Sequence, residues 1–152
     1  MLGIDLRRWF DRMQPQTLQI ATWLLYFDGF FSLVALVDGS GYQGYLVRRY
    51  AIGFPVCLAA TLAYAAGGLL MANERRVGYR IALVAAFSPF VLRIWALRSA
   101  LSSYNFGGDV SLLDYLTGRP FGLSYLTTIF DIALVALLLH NQSREHARIW
   151  FR

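Results

Sequence analysis

Asp28, Arg93 and Asp131 are the residues whose types and setting point to chemistry, because each lies inside an otherwise apolar stretch long enough to enter a lipid bilayer. An ionisable group at that depth must be paired, neutralised or turned toward water. Two carboxylates flanking one guanidinium can share its five donors, whereas each charge alone would be strongly unfavourable in a low dielectric. The trio carries a formal excess of one negative charge, so one aspartate holds a proton, meets Ser32, Thr127 or Thr128, or pairs with another chain. Two roles follow. As a structural cluster the trio would hold helix register. As a relay, one aspartate would exchange its proton while the cluster rearranges.

No other residue pattern makes a reactive site. Cys57 is the only cysteine, which excludes an internal disulfide and a cysteine-based metal site. His140 and His146 are six positions apart, not on one helix face, and only His140 is near a span, which argues against haem. Gly67 and Gly68 with Gly78 follow no strand, so they read as close helix packing and not as a phosphate-cradling loop. The serines and threonines lack a histidine or lysine base at matching depth, which argues against intramembrane hydrolysis. Asp109 and Asp114 are the best carboxylates for a divalent cation, yet loop solvation and helix capping explain them more simply. The pairs Phe27-Asp28 and Phe130-Asp131 lie on oppositely directed spans, but two residues are too few to define an inverted repeat. The expectation is a non-catalytic protein without cofactor or metal.

The elements that must position the three charges are transmembrane helices. Of 152 residues, 57% are hydrophobic and 15% charged, a membrane composition. The pattern predicts an all-α integral membrane protein, a four-transmembrane-helix bundle with an N-terminal interfacial amphipathic helix within residues 1–16. The spans are expected at about 17–37, 50–71, 81–101 and 121–139, with 140–152 as a basic amphipathic tail at the membrane surface. The first span, 21 residues, makes roughly 31 Å of helix against a hydrocarbon core of about 30 Å. Within it Ala21, Asp28, Ser32 and Ala35 form a stripe that should face protein, while Trp23, Phe27, Phe30 and Phe31 suit lipid or aromatic neighbours.

The connection DGSGYQGYLVRR, Asp38 to Arg49, reads as a turn. In the second span Ala59, Ala63 and Gly67 stand four apart, a smooth strip that lets another backbone approach closely, and Pro55 is a candidate kink near the start. Pro89 lies four residues before Arg93, which predicts a kink or locally opened backbone beside that arginine. Leu112 to Leu116 suggest short interfacial turns in the last loop.

All 14 basic residues are arginine, and they are scattered between apolar spans, a distribution that suits anionic lipid head groups and not nucleic acid. With both termini in the cytoplasm, that side holds nine (Arg7, Arg8, Arg12, Arg75, Arg76, Arg80, Arg144, Arg148 and Arg152) against four outside (Arg48, Arg49, Arg98 and Arg119). The positive-inside rule therefore predicts cytoplasmic termini, and the all-arginine usage hints at a bacterial plasma membrane. In this frame Asp28, Asp131 and Arg93 lie at about 16, 12 and 18 Å from the cytoplasmic side on a rise of about 1.5 Å per residue. The depths are similar. The functional expectation is an accessory or assembly subunit that packs on another integral membrane protein or on copies of itself. The alternative is a small oligomeric proton- or ion-coupled transporter or channel using Asp28, Arg93 and Asp131.

Overall fold

The computed structural model describes residues 9–10, 13–103, 111, 113, 117, 121 and 125–151. Among these there are six helices and no strand: α1 (Gln16–Asp38), α2 (Gly41–Arg49), α3 (Gly53–Ala72), α4 (Arg76–Ser103), α5 (Tyr125–Leu139) and α6 (Asn141–Trp150). Three of them, α1, α3 and α4, are long and apolar enough to cross a membrane, consistent with a multi-pass membrane protein. A fourth crossing is met only when α5 and α6, bent by 51° at their junction, are taken as one broken span.

α1 matches the expected first span to within a residue at each end. It stops where Gly39 takes a left-handed conformation (φ 65°) and donates its N–H to the Ala35 carbonyl, which closes the last turn. Its stripe of Leu18, Ala21, Leu25, Gly29 and Leu36 is buried. Trp23, Phe30 and Phe31 stay outside, with Trp23 64% exposed, as a lipid-facing surface requires.

The connection read as a turn is instead largely helical. α2 takes nine of its residues, and Tyr42, Gln43 and Leu46 on it are buried. It fits only because it is glycine-rich: a Cβ on Gly44 would lie 1.8 Å from the Gly39 carbonyl oxygen. α2 is fastened to α4, where Ser99 Oγ shares hydrogen bonds with the Tyr50 and Tyr45 hydroxyls at 2.6 and 3.3 Å.

α3 begins at Gly53, so Pro55 falls in the first turn, where a missing N–H costs no intrahelical bond, and the expected kink has no cause there. α4 runs unbroken through Pro89. Proline cannot donate to the carbonyl four residues earlier, but the Ser88 hydroxyl donates to that group, Ala85 O, at 2.7 Å. α3 packs most extensively on α4. At their contact a Cβ on Gly67 would lie 2.9 Å from the Ala82 backbone. The expected small-residue strip is thus divided, with Gly67 buried within the bundle, Ala63 half-buried and Ala59 exposed.

α5 has 15 residues, about 22 Å of helix, shorter than a hydrocarbon core of about 30 Å. Residues 122–124, in the first part of the expected fourth span, lie outside the described residues. The tail forms α6, whose inner side packs onto the bundle. Phe151 joins the apolar cluster of Leu18, Leu25, Met71, Leu134 and Leu138, and Ser143 Oγ donates to the Leu137 carbonyl at 2.7 Å. The expected N-terminal interfacial helix falls largely outside the described residues. Within it Trp9 and Phe10 are not helical and pack against Tyr26 and Trp23 of α1. The expected interfacial turns at Leu112 to Leu116 also lie mostly outside.

Because Gly67 is pressed against the Ala82 backbone and Ala59 is exposed, Gly67→Leu should lower stability by about 1–3 kcal/mol through overpacking. Ala59→Leu should leave it unchanged. Thermal unfolding of the two variants in detergent checks this, and equal effects would refute the division of the strip.

Candidate functional site

The burial period of α5, Thr128, Asp131, Leu134 and Leu138, points Asp131 inward on the same side as two leucines. Its partner comes from α4, where Arg93 is the largest fully buried side chain among the described residues, 1% exposed. Arg93 Nη2 donates to Asp131 Oδ2 in a buried ion pair. Arg93 Nη1 also reaches Thr128 Oγ1 at 3.4 Å. The guanidinium carbon lies 5.6 Å from the centre of the Tyr42 ring and 5.9 Å from that of Phe90, so aromatic faces supply part of the stabilisation that water would give outside.

Asp28 is not in that pair. It lines the same cavity of about 330 Å³ as Arg93 and Asp131, among Phe27, Phe31, Tyr64 and Phe130, within electrostatic reach of both charges. Its Oδ2 is buried and has no hydrogen-bond partner among the described residues. A second polar group shares the cavity. Gln43 donates through Nε2 to Ser32 Oγ at 2.8 Å, Ser32 meets Thr61 Oγ1 at 2.7 Å, and Thr61 donates to the Cys57 carbonyl at 2.9 Å. Since each hydroxyl has one hydrogen, the chain runs in one direction from Gln43 to Cys57. It leaves Gln43 Oε1, like Asp28 Oδ2, as a buried acceptor without a donor.

Two unpartnered acceptors beside a net negative charge make this an environment for a donor: a proton, an ammonium group or water. Among the described residues no group of three or more histidine, cysteine, aspartate or glutamate side chains could hold a metal ion.

Sequence reasoning named Asp28, Arg93, Asp131, Ser32, Thr127 and Thr128, and the structure places Ser32 and Thr127 on the cavity wall and Thr128 on Arg93. It missed Tyr42, Gln43 and Thr61. The signal was present, since Tyr42, Tyr45, Leu46 and Arg49 recur at helical spacing, but the glycines of the connection outweighed it. Ala59, Ala63 and Gly67 do not line this cavity. No protein-family model, curated protein or solved structure matches the chain.

Removing one partner of a buried ion pair strands the other, so Arg93→Met should cost about 3–5 kcal/mol. The double variant Arg93→Met with Asp131→Leu should recover most of that loss. Denaturant unfolding in micelles measures both, and a double variant as unstable as the single one would show that the pair is not the main interaction of either residue.

Proposed function

We propose that the chain is a small proton- or cation-coupled membrane transporter in which Asp28 is the exchanging carboxylate. The observation that carries this reading is the division of labour in the cavity: Asp131 is bonded to Arg93, whereas Asp28 presents a buried oxygen with no partner. A structural ion cluster has no use for that oxygen, while an exchanging site needs one acceptor that a proton or cation can enter and leave. The Arg93–Asp131 pair is neutral as a unit, so Asp28 is the carboxylate of the trio left to exchange. The volume of about 330 Å³ and the aromatic wall suit an organic ammonium better than a hydrated metal ion. In this reading four segments cross the plasma membrane and both termini lie in the cytoplasm.

The accessory-subunit reading draws its support from Ala59, which remains exposed on the outer side of α3 for a neighbouring helix or a second copy. It is the second reading, because the Gly67 end of the strip is already occupied by α4.

Purified protein reconstituted alone in liposomes separates the two. An imposed gradient of a lipophilic ammonium ion should drive proton movement reported by a lumenal pH dye. Asp28→Asn should abolish that movement while the protein accumulates in membranes at its normal level. No flux from the unsubstituted protein, together with a stoichiometric partner in native mass spectrometry of the gently solubilised chain, would replace transport by the accessory role. Equal loss of membrane protein in Asp28→Asn and Asp131→Asn would assign the cluster to register alone.

A further inference from the structure

A further cavity lies away from the central charges, at the junction of α4 with α5 and α6. It has a volume of about 1050 Å³. Two arginine pairs at helical spacing of four line it, Arg76 and Arg80 on α4 and Arg144 and Arg148 on α6. Glu145 is the one carboxylate of its lining, so four positive charges against one leave a net +3. All four arginines are exposed, and the two sides are tied together, since Arg76 Nε donates to the Phe151 carbonyl at 2.7 Å. The basic cleft is therefore held open by the fold of the tail and does not depend on side chains meeting by chance.

The cleft does not end in polar surface. Leu83, one turn beyond Arg80, lines it and also lines a second cavity of about 460 Å³ that continues along α4 against α3. That groove is walled by Val56, Ala60, Val84, Phe87 and Val91. From Leu83 to Val91 it follows about 12 Å of helix at the rise of about 1.5 Å per residue. Arginines at the end of the spans followed by an apolar furrow reproduce the two halves of one molecule, a phosphate head and an acyl chain.

We infer that this composite cleft is a binding site for an anionic phospholipid, its phosphate between the arginine pairs of α4 and α6 and an acyl chain in the groove beyond Leu83. Guanidinium forks match phosphate oxygens in pairs, and basic pockets between membrane helices take anionic lipid heads. A net charge of +3 exceeds what one phosphate neutralises, which favours a lipid carrying two phosphates over one carrying a single phosphate. The inference is independent of transport, because none of its residues lines the Asp28 cavity.

The test is retention of lipid by the full chain in phosphatidylcholine nanodiscs containing a minor fraction of cardiolipin, read by native mass spectrometry during delipidation. Arg80→Gln with Arg144→Gln leaves the Arg76 bond to the tail intact. The pair of substitutions should weaken cardiolipin retention about thirtyfold, the effect of two arginines near a lipid surface. Helical signal and elution volume should not change. Val84→Trp, which fills the groove at an exposed position, should also weaken cardiolipin retention, and inorganic pyrophosphate should not displace the lipid. Three outcomes overturn the assignment. Undiminished retention in the arginine variant removes the head-group site, and undiminished retention in Val84→Trp removes the chain site. Displacement by pyrophosphate makes the cleft a site for soluble phosphate.

Discussion

A guanidinium in hydrocarbon is tolerated only beside a counter-charge and behind groups that replace water, and the rest of this bundle is arranged to give Arg93 both conditions. Asp131 supplies the charge from α5 and Thr128, one turn before it, a second acceptor. The Tyr42 and Phe90 rings flank the guanidinium. Each of these contributions forces a helix into place. α5 must present Asp131 inward at the depth of Arg93, and α2 must fold back under the bundle to bring Tyr42 over the guanidinium. The glycines that make α2 possible are thereby linked to a charge more than forty residues away in the chain. Proline enters the same account: α4 carries Pro89 one turn before Arg93 without interruption because Ser88 takes up the carbonyl that proline leaves bare.

The consequence for function lies in what that arrangement omits. One arginine has been given one aspartate, and the other aspartate of the trio stands across an aromatic-walled space with an oxygen to which no described residue donates. Gln43, held at its amide nitrogen by the Ser32–Thr61 relay, offers a second such oxygen. A protein selected for rigidity alone gains by satisfying both groups or replacing them with apolar side chains, since each unpaired acceptor in a buried site costs about 1–3 kcal/mol. Their persistence in one cavity is the physical basis for reading the centre of the bundle as a place that something enters.

The two ends of the molecule are built differently from its centre. Along α1, Trp23, Phe30 and Phe31 are exposed and make an apolar outer surface. Around the junction of α5 and α6 the surface is basic and indented, and the tail that closes it is pinned by Phe151 in the core and by the Arg76 bond to its carbonyl. The outer surface is therefore apolar on one flank and indented and basic on another.

Hydropathy and the cost of buried charge determined the all-helical membrane class, the bounds of α1 to within a residue, and the identity of Asp28, Arg93 and Asp131, because a long apolar run and a charge inside it are local features of the chain. The inward stripe of α1 followed only in part: of the expected Ala21, Asp28, Ser32 and Ala35, Ala21 is buried and the other three are half-buried, while Leu18, Leu25, Gly29 and Leu36 complete the buried face. What only the tertiary structure decided was partnership. Asp28 and Asp131 are equivalent in the sequence, each preceded by phenylalanine inside a span, and nothing local says which one meets Arg93. The small-residue strip of Ala59, Ala63 and Gly67 likewise reads as one face, yet the crossing of α3 over α4 buries one end and leaves the other outside. The helix α2 was hidden because glycine weakens helical propensity when a segment stands alone and becomes an asset only when two backbones must touch. Local patterns report what each residue can tolerate, and which neighbour it finds depends on how helices distant in the chain are packed together.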